Sequence, residues 1–150
     1  MFKAELFLDC NDNLGEGVIW SQDTNTLFWL DIPMTSKLHK YSFNTKKHQI
    51  FEMPEMITAM AERDSENILI ASHFGINNFN LEEKKFNQIL RIEEDKPFNR
   101  CNDGAADFAG NFWFGTMQNN IAEDGSDINI TKNSGSLYSI DKNLKVTIHE

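Results

Sequence analysis

Residues 99–117 set Arg100, Asn102 and Asp103 almost side by side, close them with Gly104, and continue into the run Phe112-Trp113-Phe114. A guanidinium, an amide and a carboxylate in so short a span can grip a polar ligand. They can equally serve as capped turns, because Asn, Asp and Gly are the commonest turn formers. A second point of chemical interest is Glu16, between Gly15 and Gly17. A carboxylate flanked by glycines can be approached closely, and carboxylate and amide oxygens are hard donors suited to Ca²⁺, Mg²⁺ or Mn²⁺. One Glu and one Asn are too few for a tight site, so a solvated carboxylate is the plain alternative for Glu16.

The remaining reactive residue types carry less. Cys10 and Cys101 lie far apart and match no metal-ligand spacing, so both read as free thiols. Cys101 sits within the polar cluster, but nothing nearby in sequence supplies a base for a nucleophile. His73, at the end of a strand, can reach a central channel, whereas His39, His48 and His149 fall on outer strands or at the end. Trp20, Trp29 and Trp113 read as packing between sheets. No glycine-rich phosphate loop, serine elbow or paired-histidine zinc motif is present.

The elements that position these residues repeat. Asp23, Asp64 and Asp107 each open a turn, and each is followed four or five residues later by an apolar strand: Leu27-Phe28-Trp29-Leu30, Ile68-Leu69-Ile70-Ala71 and Phe112-Trp113-Phe114. The interval is about 40 residues, the period of a four-stranded β-propeller blade. Each unit divides into four strands. They are expected at 17–20, 27–32, 37–43 and 48–53, then 57–62, 68–72, 76–81 and 86–92, then 101–106, 112–117, 135–140 and 145–149. The chain is therefore all-β, with three four-stranded blades in a single partial domain over residues 1–150. Residues 2–9 read as an extra strand ahead of the first blade. Residues 118–134, rich in Asn, Asp, Gly and Ser, form a long loop that is either a lid or a disordered insertion.

Composition narrows the partners. The 150 residues carry a formal charge of −9, with 40% hydrophobic and 25% charged residues. That acidic balance argues against nucleic acid and against an anionic membrane surface, both of which call for clustered Lys and Arg. No apolar run is long enough for a transmembrane helix and no leader pattern follows Met1, so the expected location is cytoplasmic.

Two spaced motifs carry a family resemblance. Leu14-Gly-Glu-Gly-Val-Ile-Trp20 followed by Leu27-Phe-Trp-Leu-Asp-Ile32 resembles the opening of the gluconolactonase, regucalcin (senescence marker protein) and luciferin-regenerating enzyme family. Asn99-Arg-Cys-Asn-Asp-Gly104, then Gly110, Phe114-Gly-Thr-Met117 and Gly135-Ser-Leu-Tyr138, is similar to its second hallmark. The resemblance implies a six-bladed propeller with one divalent metal ion (Ca²⁺, Zn²⁺, Mg²⁺ or Mn²⁺) in the channel, and hydrolysis of a sugar lactone. It makes Glu16 the first metal ligand and Arg100 and Asn102 substrate contacts. Asn120 stands where some members place a substrate-contacting Glu.

The family's other metal ligands, including the Asp expected as general base, come from blades beyond residue 150. The chain thus resembles the N-terminal half of a lactonase, weak or inactive alone. The alternative is a non-catalytic half-propeller that binds Ca²⁺ or a protein through its open edges, with two copies closing a ring as a homodimer.

Overall fold

Polar turns cut the chain into short antiparallel strands, and the hydrogen bonds of those turns explain where each strand begins. The structure, a computed structural model, describes residues 2–33, 35–122 and 124–149; Met1, Met34, Glu123 and Glu150 lie outside the described residues. Asp64 Oδ1 accepts from the backbone N–H of Glu66 and Asn67, and Asp107 Oδ1 from those of Ala109 and Asn111. These Asx turns satisfy backbone donors that would otherwise compete with the strand ladder. The corresponding turn of the first blade is tied side chain to side chain, Thr24 Oγ1 donating to Ser21 Oγ at 2.7 Å.

The first blade comprises β1 (Gly15–Ser21), β2 (Thr26–Asp31), β3 (Lys37–Ser42) and β4 (Lys47–Glu52). The second comprises β5 (Ile57–Glu62), β6 (Asn67–Ser72), β7 (Gly75–Asn80) and β8 (Lys85–Arg91). The third comprises β9 (Asn99–Ala106), β10 (Phe112–Gln118), β11 (Leu137–Ile140) and β12 (Val146–Ile148). Each is a four-stranded antiparallel meander in sequence order. The inner strand of the second blade, β5, lies against both β1 and β9.

Burial follows from that stacking. One apolar cluster joins the first and second blades through Phe28, Leu30, Leu38, Ile57, Met60 and Ile70. The other joins the second and third through Ala59, Ala71, Ile76, Phe112, Phe114 and Ile140. The second blade is covered on both faces, which is why Ile68-Leu69-Ile70-Ala71 is a continuous apolar run rather than an alternating one. The outer faces of the flanking blades stay open, leaving Val18, Trp20, Leu137 and Ile148 exposed.

Three expectations need correction. Residues 2–9 form no strand, because none of the sheets offers them a ladder partner. The segment instead crosses the open face of the first blade, where Phe7 stacks on Phe43 and meets Tyr41 edge-on. The tryptophans do not pack between blades. Trp20 is 50% exposed against Phe43, while Trp29 and Trp113 stack on histidines of their own sheets. Finally, β9 starts at Asn99, two residues early, so Arg100 belongs to a strand.

The loop after β10 is folded. Gln118 Oε1 accepts from the backbone N–H of Thr131 and Lys132, and Ile121 packs against the first core cluster. Among the described residues no helix is long and apolar enough to cross a membrane.

Candidate functional site

Each inner strand carries one extra residue relative to its neighbour, at the same end of its blade. The register shifts lie between Glu16 and Ile19 in β1, between Ile57 and Ala59 in β5, and opposite the Phe114–Thr116 stretch in β9. Such bulges kink a strand and re-aim its side chains. In β1 the bulge begins directly after Glu16, with Gly17 at φ 60°; in β9 it contains Asn102 and Asp103.

Arg100 is the centre of this end of the molecule. It is only 6% exposed, and both terminal nitrogens of its guanidinium are hydrogen-bonded. One terminal nitrogen donates to the Cys101 carbonyl and to Asn102 Oδ1, both at 2.9 Å; the other donates to Asn120 Oδ1 at 2.7 Å. Its Nε–H is buried without a partner among the described residues. Burial pushes the Arg100 pKa down, while the nearby Glu16 carboxylate works to keep the charge in place. Arg100, Asn102 and Asn120 thus form one hydrogen-bonded group, with Glu16, exposed to solvent, inside its electrostatic reach.

A buried network fixes the start of β9. Glu93 accepts from Lys96 Nζ at 2.8 Å, Tyr138 Oη at 3.0 Å and Asn99 Nδ2 at 2.7 Å, and Ser134 Oγ donates to Asn99 Oδ1 at 2.6 Å. Burial pushes the Glu93 carboxyl upward, but these donors outweigh it and hold the pKa below its ordinary value. Asn99 is pinned on one side, so Arg100 must point to the other.

His73 lies half-buried beside Arg100. Burial, and then the Arg100 charge, push its pKa down and favour the neutral ring. Cys101 is buried and its thiol is pushed up to about 12 by burial, so it is no nucleophile. A cavity of about 770 Å³ opens next to this group, walled by Met56, His73 and Phe74 on one side and Asn119, Ile121 and Ile128 on the other. The 118–134 loop therefore roofs a space at the edge of the Arg100 cluster.

The family model described as the SMP-30/Gluconolactonase/LRE-like region matches residues 14–150. The chain belongs to this family. It is 30% identical over 147 residues to regucalcin of Xenopus laevis, covering 98% of this chain and 48% of that protein. It is 32% identical over 116 residues to the L-arabinolactonase of Azospirillum brasilense, covering 75% of this chain and 37% of that one. The crystal structure of a calcium-binding protein, regucalcin, from Agrobacterium tumefaciens superposes with a TM-score of 0.73 at 28% identity, over 90% of this chain and 42% of that one. The chain spans about half the length of the curated relatives it matches, and its three sheets correspond to about half of a six-bladed propeller.

Sequence reasoning missed one grouping. Cys10, His39 and His48 each present a ligand atom within 4.8 Å of the other two. The signal was available only in part: His39 and His48 lie on paired strands, diagonal to one another across the β3–β4 register. Nothing in the sequence brings Cys10 to them.

Proposed function

We propose that this chain is the first half of a divalent-metal-dependent sugar-lactone hydrolase. In this reading Arg100, Asn102 and Asn120 contact the substrate and Glu16 is the first oxygen ligand of the ion. The observation that carries it is the buried Arg100 guanidinium, held by the two Asn oxygens beside the Glu16 carboxylate. Membership of a family with lactonase relatives supports the substrate class. Glu16 and Asn102 match a hard cation in donor type, but two oxygens fall short of the roughly six to eight that Ca²⁺ takes. They fit as part of a shell.

When bound, the ion supplies Lewis-acid polarisation of the lactone carbonyl. Hydrolysis forms a bond from the water oxygen to the carbonyl carbon, breaks the ring C–O bond and leaves one water proton on the ring oxygen. Arg100 serves this by holding a fixed positive charge near the oxygen that gains negative charge, in a place largely shielded from water. Asn102 and Asn120 keep the guanidinium plane in one orientation. The family resemblance places the base beyond this chain, so turnover by the chain alone is expected to be weak.

The test measures lactone binding and hydrolysis with glucono- and arabinonolactone, with each divalent ion and with chelator. Arg100→Gln should weaken lactone binding at least about tenfold, about 1.4 kcal/mol, and Glu16→Gln should weaken Ca²⁺ binding. Lactone binding unchanged by Arg100→Gln, or turnover that ignores both chelator and Glu16→Gln, would overturn the reading.

A second reading, two copies completing a ring, is favoured by the exposed Val18, Trp20, Leu137 and Ile148 on the open flanks. Sedimentation would then show a dimer, and a monomer at high concentration ends the idea.

A further inference from the structure

We propose that the first blade carries a second metal site, of the zinc class, in which Cys10 Sγ and one ring nitrogen each from His39 and His48 are the ligands. It is separate from the Glu16 position in both place and chemistry. Thiolate and imidazole select borderline transition ions, whereas the ligands proposed at the Glu16 position, Glu16 and Asn102, are oxygens.

The geometry is close to what a tetrahedral ion needs. His39 Nδ1 and His48 Nε2 face each other at 3.0 Å, and a tetrahedral zinc with bonds of about 2.05 Å would hold two nitrogens about 3.3 Å apart. The two imidazoles lie edge to edge, centroids 5.2 Å apart, and Trp29 lies near-parallel across both at 4.8 and 5.2 Å, so neither imidazole swings freely. Cys10 must close in by about an ångström for zinc–sulfur bonding. It lies on the segment before β1 that has no ladder to break, so the movement costs little.

A second, independent observation comes from behind the rings. His39 is fully buried, and its Nε2 lies 3.4 Å from Asp12 Oδ1. Neither atom has a hydrogen-bond partner among the described residues. Asp12 is itself oriented by Trp29, whose Nε1–H donates to Oδ2 at 2.9 Å. A carboxylate behind a ligating histidine fixes the Nε2–H tautomer and leaves the Nδ1 lone pair for the ion. Without metal, His48 Nε2–H donates to that lone pair. On binding, His48 moves its proton to Nδ1 and the Cys10 thiol proton leaves to water. A groove of about 380 Å³ lined by Phe7, Cys10, Asp12, Leu27 and Trp29 exposes the Cys10 side of the group to solvent.

Co²⁺ is the probe, under reducing conditions, because a cobalt–thiolate bond gives a charge-transfer band that oxygen ligands do not. The full chain should take up one equivalent with that band, and Zn²⁺ but not Ca²⁺ should displace it. Cys10→Ser should erase the band. His48→Gln should weaken cobalt binding at least about tenfold, and Asp12→Asn by about 10- to 100-fold, the usual cost of losing such a partner. Circular dichroism of each variant checks folding, and His48→Gln and Asp12→Asn keep the test alive should Cys10→Ser fold poorly.

Glu16→Gln should leave the band untouched, so failure here and failure of the lactonase reading are separate results. No cobalt uptake, uptake without the thiolate band, or a band that follows Glu16 rather than His48 would overturn the proposal.

Discussion

The first and third blades use the same device on their second strands, and one of them adds to it. Trp29 in β2 donates its indole N–H to Asp12 Oδ2 at 2.9 Å; Trp113 in β10 donates to Asp107 Oδ2 at 2.8 Å. Both rings stack on a histidine, Trp29 on His39 and His48, and Trp113 on His149 at 4.5 Å. The register shows where they part. Opposite Trp113 stands Ser139, whose hydroxyl pairs with His149 Nε2 at 2.8 Å; opposite Trp29 stands His39, whose ring nitrogen pairs with His48 Nε2 at 3.0 Å. A pile of Trp, carboxylate and His is therefore sufficient to brace an outer sheet. The second imidazole and the Cys10 thiol are surplus to that purpose, and together they make a ligand set.

Making the first blade imitate the third is the strongest way to break the comparison. His39→Ser should abolish the cobalt–thiolate band and, by emptying a fully buried ring site, lower unfolding free energy by about 3 kcal/mol. Urea denaturation and the cobalt titration together separate the two effects. Full cobalt affinity in His39→Ser would mean that the pile, not the ligand set, is all the blade holds.

The matched pair Trp29→Phe and Trp113→Phe sharpens the contrast with a smaller change. Each keeps a stacking ring but removes one hydrogen bond to a carboxylate, worth about 1 to 2 kcal/mol. Both should shift the urea midpoint by similar amounts. Only Trp29→Phe, which releases Asp12 from behind His39, should also weaken cobalt binding. Equal cobalt affinities in the two variants would remove Asp12 from any orienting part.

The blades also show what could be read from the sequence. The strands were legible because Asp64 and Asp107 mark their turns and the apolar runs that follow have strand length. Arg100 and Asn102 stood out because their grouping is local, two residues apart on one strand. The Cys10–His39–His48 grouping is not local. It depends on the β3–β4 register and on a segment that reads as a strand yet finds no edge to join. Residues 2–9 have strand-like alternation, but pairing is a property of the partner as well as the segment. The engagement of Asn120 with Arg100 likewise depends on how the 118–134 loop folds back, which composition does not encode.

The smallest expected effect concerns the third-blade carboxylate. Donors from the Asn111 side chain, Trp113 and the backbone of Asn111 and Ala109 hold the Asp107 carboxyl well below its ordinary pKa of 3.8. A carboxylate with a depressed folded pKa contributes stability that is complete above the unfolded value and lost as pH falls through the folded one. The gap in urea midpoint between the native protein and Asp107→Asn should therefore be constant from neutral pH down to about pH 5. It should narrow as pH falls below the ordinary value of 3.8, where the unfolded chain takes up the proton first, and level off once the native carboxylate is protonated too. Because Asp107 is at the surface, the gap itself will be modest. Asp107→Asn should leave cobalt binding alone at every pH tested, since among the described residues neither a thiol nor a second imidazole stacks with or hydrogen-bonds to Trp113 or His149. A cobalt affinity that tracked Asp107 would put the metal in the wrong blade, and the distinction between bracing and ligation would fall with it.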